Sequence, residues 1–166
     1  MMVVALIVSV SACGFRLRGT QQLPESINQV YIASQFAHMP MQRALEQRLS
    51  VYQLQNVTQT QAQQDPRTVT IYLQPEELER RLLSVFATGQ VAEYELIFSI
   101  PYTVQFADQE AIASRIEVLR EYQDDPDEVL AKSRELDLVL TEMRNEAADR
   151  MIRLLSSQYQ SQITFN

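Results

Sequence analysis

The sequence predicts a two-layer α+β sandwich: a mostly antiparallel sheet of about four strands with two amphipathic helices on one face. Three patterns carry that expectation. Ala92, Tyr94, Leu96, Phe98, Ile100, Tyr102, Val104 and Phe106 occupy every second position, which makes one long strand with a single buried face. Met41, Ala44, Leu45, Leu49 and Tyr52 recur at helical spacing, and so do Leu136, Leu140, Met143, Ala147, Met151 and Leu154. The 166 residues, 46% of them hydrophobic, suffice for one domain with one sizeable core.

Taken in order, residues 1–12 form an apolar run that ends in Ser11-Ala12 before Cys13, the single cysteine. Small residues let a peptidase approach the backbone, and the cysteine sulfur accepts a diacylglycerol. The expectation is therefore a lipoprotein signal over 1–12 and a lipidated Cys13; several acyl chains on one residue anchor stably where one chain is marginal. The run lacks the basic residues that normally begin a signal, so the natural start is expected upstream of Met1. Residues 13–28 follow as a lipidated N-terminus and extended arm, with Phe15-Arg16-Leu17-Arg18 alternating apolar and basic groups. A single α+β domain is expected over 29–155 and a polar tail over 156–166.

Within the domain, Val30-Tyr31-Ile32-Ala33 is the first strand and the helix over about 39–54 follows. Residues 55–65 are polar and nearly uncharged, a connection closed by Pro66. Val69, Ile71 and Leu73 alternate as a second strand. The segment 76–86 suits a helical turn or a bent strand, and Pro75 breaks the ladder before it. Thr88-Gly89 is a turn signal that makes a hairpin with the long strand. Ile112, Ile116, Val118 and Tyr122 give a further strand, with Arg115, Glu117 and Glu121 outward. Asp125-Pro126 with Glu128 has the form of a helix start, and the last helix is expected from about Pro126 to Leu155.

The composition excludes several classes. A net charge of −7 argues against nucleic acid, whose phosphates need clustered Lys and Arg. One cysteine allows no internal disulfide, and no Cys/His cluster suggests a metal or other cofactor. No apolar stretch reaches the roughly 20 residues that span a bilayer as a helix. A single histidine, His38, and no nucleophile elbow make an enzyme a poor reading.

Together, Cys13-Gly14-Phe15-Arg16-Leu17-Arg18, Phe86 through Tyr94, and Asp125-Pro126 followed by Leu130-Ala131-Lys132 resemble the LptE (RlpB) family of lipopolysaccharide-assembly lipoproteins. The resemblance implies a non-enzymatic lipoprotein of the outer membrane, anchored through Cys13. Such a protein sits on the periplasmic side and inside the lumen of the LptD β-barrel, which it plugs and helps to assemble, and it binds lipopolysaccharide in transit. It also implies a lipopolysaccharide contact at Lys132. The turn before the long strand, where the family carries a basic residue, is uncharged here, and Arg80 and Arg81 are the candidates to compensate. A porin-sized barrel has a polar interior, so the outward residues Glu93, Glu95, Thr103, Arg115 and Glu117 are the candidate barrel contacts. The competing reading is a lipoprotein with the same tether and sandwich that scaffolds another cell-envelope complex.

Overall fold

The structure is a computed structural model that describes residues 27–36, 39–106, 109–123 and 129–164. The expectations for Cys13, the arm 13–26, His38 and the helix start at Asp125-Pro126 lie outside the described residues. The elements run β1 Gln29–Ser34, α1 Pro40–Val51, β2 Gln55–Asn56, α2 Gln59–Gln64, β3 Val69–Leu73, β4 Glu77–Val85, β5 Val91–Phe106, β6 Ile112–Gln123 and α3 Val129–Thr164.

β5 is the axis of the sheet. On one edge β6 pairs antiparallel with it along nearly its whole length, Glu93 opposite Gln123 and Val104 opposite Ile112. On the other edge β3 takes Tyr102–Phe106 and β4 takes Val91–Ser99. Pro101 lies where β3 gives way to β4. Its carbonyl accepts from the Gln74 amide at 3.0 Å, and because a residue's N–H and C=O share one edge of a strand, its missing N–H falls in the break at Pro75. The period-two pattern could therefore carry a proline in a central strand.

Several expectations are corrected. The sheet has six strands rather than about four, and β1 is parallel to both β2 and β3. A chain that leaves β1, crosses as a helix and returns beside it gives parallel pairing; the sequence pattern alone does not reveal which strand lies beside which. The polar connection 55–65 contains β2 and the short α2, whose start is capped by Thr58 and Gln61 in a reciprocal capping box. The ambiguous stretch 76–86 is strand β4 in a hairpin with β5. The hairpin turns at Gly89, whose φ of +84° is the left-handed conformation a side chain resists.

The two long helices cover one face. From α1, Met41, Leu45 and Leu49 are fully buried against Ile32, Ile71, Phe98 and the other inward strand residues. In α3 the buried stripe is Met143, Ala147, Met151 and Leu155, joined by Ala148 and Ile152. Leu154, expected in that stripe, is 41% exposed; steps of four from Met143 reach Leu155 instead. The helix also continues past Leu155 to Thr164. Its last turns are held by tertiary contacts: Gln158 donates to the Ser114 hydroxyl at 2.9 Å, and Tyr159 packs its ring 5.4 Å from that of Phe106.

The outer edge of β6 is closed by α3. Arg150 donates to the carbonyl of Glu117 at 2.7 Å, Lys132 to that of Gln123, and Gln162 to that of Glu110, just before the strand, at 3.0 Å. These bonds occupy carbonyls that would otherwise template another strand. The outer edge of β4 relies on Arg80, Arg81 and a register shift between Leu82 and Ser84.

Candidate functional site

The two faces of the sheet divide the sequence-predicted residues. Arg80 sits opposite Leu96 on the helix-covered face, while Arg81, one residue on, sits opposite Glu95 on the other face. Lys132 lies in the first turns of α3, over the end of the sheet where β4, β5 and β6 run together. The fold thus brings Arg80 and Lys132 to one small pocket of about 150 Å³, floored by Tyr94, Tyr122 and Leu136.

The pocket is basic and aromatic. Tyr94 and Tyr122 are direct cross-strand partners, so their rings stand side by side on one face. The Lys132 ammonium lies 5.0 Å from the centre of the Tyr122 ring and donates to the Gln123 carbonyl. The Tyr122 hydroxyl donates back to the Lys132 carbonyl at 3.1 Å, tying the start of α3 to the end of β6. Among the described residues no carboxylate is within ion-pair distance of Arg80. An uncompensated guanidinium, an ammonium and two ring faces can receive an anionic group with hydrocarbon beside it. Sequence periodicity assigned Tyr94 and Tyr122 to the core; Tyr122 does belong to it, 9% exposed, and with the half-buried Tyr94 beside it the end of the core forms the pocket floor.

Arg81 belongs to the opposite surface. It is ion-paired with Glu95, while Ser84 donates to Glu93 at 2.8 Å. Arg115 reaches Glu77 at 2.8 Å and Glu117 at 3.3 Å. Thr103 is half-buried between Tyr72 and Ala113 on the neighbouring strands. All five candidate barrel contacts therefore share the face away from the helices. It is a lattice of cross-strand ion pairs and hydrogen bonds, interrupted by the exposed side chains of Tyr72, Leu83 and Leu119. Each exposed pair contributes little to stability; together they give a polar, ordered surface.

Two ion pairs that the sequence did not announce tie α3 to α1 and to the residue before β4. Arg48 of α1 meets Asp149 of α3 at 2.7 Å, and Arg144 of α3 makes a bidentate contact with Glu76, with Nη2 to Oε1 at 2.6 Å. Their partners lie 101 and 68 residues away, beyond any spacing rule. Among the described residues no group of three or more His, Cys, Asp or Glu is placed to hold a metal, and no helix is long and apolar enough to cross a membrane.

Residues 27–155 match the family model LptE, described as lipopolysaccharide-assembly. The chain belongs to the LptE family. It is 30% identical to the LPS-assembly lipoprotein LptE of Pectobacterium atrosepticum over 155 residues, 93% of this chain and 83% of that one. It is 34% identical to the protein of the same name from Photorhabdus laumondii, with the same coverage. Among solved structures it is similar to the rare lipoprotein B of Shewanella oneidensis, at 35% identity and a TM-score of 0.70, covering 81% of this chain and 98% of that one. A lipoprotein B of Nitrosomonas europaea, 24% identical with a TM-score of 0.66 over 92% of this chain and 97% of that one, shares the fold.

Proposed function

We propose that this LptE-family chain is an outer-membrane lipoprotein of lipopolysaccharide transport. It is held on the periplasmic side by acyl chains on Cys13, plugs and helps to assemble the LptD β-barrel, and contacts lipopolysaccharide as it passes. The observation that carries the substrate contact is the meeting of Arg80 and Lys132 over the Tyr94–Tyr122 pair. Phosphate groups suit the two cations, and acyl chains or the sugar faces suit the rings. The role is one of binding and assembly, in keeping with the lipopolysaccharide-assembly family, and the cations and aromatics of the pocket suit binding.

The polar outer face supports the plug. A barrel lumen is lined by polar side chains, and Glu93, Glu95, Thr103, Arg115 and Glu117 present matching groups on a sheet made rigid by its own ion pairs. Arg81, bound to Glu95, belongs to this surface.

Lys132→Asp tests the substrate contact. It should weaken lipopolysaccharide binding about tenfold or more, the scale of a lost charge-assisted contact, with little change in melting temperature. Binding equal to the unaltered chain would remove Lys132 from the site.

A further inference from the structure

The hairpin of β4 and β5 carries apolar surface that the described fold does not cover. Of the eleven large apolar side chains exposed among the described residues, five lie between Leu78 and Phe86. Leu82, Leu83, Val85 and Phe86 are 44–54% exposed, and no residue from Leu82 to Ala92 is charged. Among the described strands, the outer edge of β4 has no partner. Apolar surface concentrated on a free edge is a liability unless a ligand or partner covers it.

Its position in the fold indicates the cover. Arg80 and Leu82 fall on the same face of β4, opposite Leu96 and Tyr94. Tyr94 also floors the pocket that Arg80 and Lys132 line. Apolar surface thus begins where the cations end and continues toward the turn at Gly89. From Arg80 to Phe86 the strand advances roughly 20 Å. The acyl chains of one lipid leaflet reach about 15 Å, half of the roughly 30 Å hydrocarbon core of a bilayer. A lipid whose phosphate lies in the pocket therefore has apolar surface of matching length beside it. The polar lumen of a barrel offers these side chains no such match.

We propose that the end of the β4–β5 hairpin is the hydrocarbon subsite for the lipid whose phosphate occupies the Arg80–Lys132 pocket, with acyl chains lying along Leu82, Leu83, Val85 and Phe86. The proposal rests on the lipopolysaccharide reading of that pocket and adds a separable contact to it. The cations hold the phosphate, the rings of Tyr94 and Tyr122 face the sugar, and the hairpin end holds the chains.

The chain contains no tryptophan, so Phe86→Trp places a single fluorescent reporter at the hairpin end. The full Phe86→Trp chain is titrated with lipopolysaccharide and with the same lipopolysaccharide stripped of its acyl chains. Emission should move to the blue with the intact lipid only, although both forms bind. Leu138→Trp, at a residue 60% exposed on α3, should show no shift with either. In calorimetric titration, the double variant Leu82→Gln, Phe86→Gln should bind the intact lipid at least about tenfold more weakly. Its binding of the stripped form and its melting temperature should not change, whereas Lys132→Asp should weaken both forms. If the stripped form does not bind, or binds Lys132→Asp as well as the unaltered chain, the pocket reading falls and this proposal with it. If the stripped form binds through Lys132 but the intact lipid brings no blue shift, the hairpin subsite alone is overturned. Undiminished affinity of the double variant for the intact lipid, or an equal loss for both forms, overturns it too. Blue emission without lipid that grows with chain concentration, or that is already present in a complex with a barrel, makes a second copy or the barrel the occupant and likewise overturns it.

Discussion

Gln53 ends α1 in the left-handed conformation, φ +60°, so that the Leu54 amide can reach the Leu49 carbonyl at 3.0 Å. A side chain there costs about 1 kcal/mol, which glycine avoids. Gln53 is exposed, so Gln53→Gly should raise stability by about 0.5–1 kcal/mol in a denaturant titration, and a loss would show that the side chain holds something. Glu146 shows a different residue-scale balance. Burial pushes its carboxyl up, but Arg120 and Arg150 together outweigh that and hold it below the usual 4.5. The sign follows: a carboxylate depressed on folding contributes stability above its unfolded value, lost as the pH falls below about 4.5 through the folded value. Glu146→Gln should flatten the acid limb of the stability–pH curve in that window. Phe98 is 1% exposed at the centre of β5. Phe98→Asp puts a charge into the core and should cost at least about 4 kcal/mol; an unchanged melting temperature would show that the buried face had been misidentified.

At the scale of elements, α3 matters most. It covers the sheet, closes the edge of β6 and carries Lys132 of the candidate site. Its last turns contribute Ser156, buried to 1%, and the Gln158 and Tyr159 contacts to β5 and β6. A chain ending at Leu155 should lose about 2–4 kcal/mol from the deleted ring contact and hydrogen bonds, visible as a fall in melting temperature; an equal melting temperature would make these turns an appendage. These turns were hard to see in the sequence because Ser156 to Gln162 is polar. Its few partners are supplied by strands some 50 residues away, and polar composition alone resembles a tail. The strand β4 was ambiguous for a related reason. Most of its side chains are exposed, so no buried face imposes a period, and its identity as a strand comes from pairing with β5.

For the whole molecule, the division of labour is spatial. The helices and the inner face make the core, the outer face carries paired charges, and the basic pocket lies at one end of the seam between α3 and β6. Cys13→Ala should release the chain from membranes while the body stays folded; continued membrane attachment would count against the lipid anchor. Affinity purification from detergent-solubilised outer membranes should recover a large β-barrel in stoichiometric amount. A membrane-bound chain without a barrel would move the reading toward scaffolding of a different envelope complex.

The α+β class, the long strand, the two amphipathic helices and the family were legible in the sequence, because each depends on local periodicity or on short motifs in order. The rest was decided by tertiary structure. Parallel pairing of β1, Arg80 beside Lys132 but away from Arg81, and Leu155 rather than Leu154 in the core all depend on which surface meets which. The candidate site was half visible: its cations could be named, but not that Tyr94 and the core residue Tyr122 form its floor. Alternation gives the same signature for a ring under a helix and a ring at an open end of the sheet, and only packing against distant residues distinguishes them.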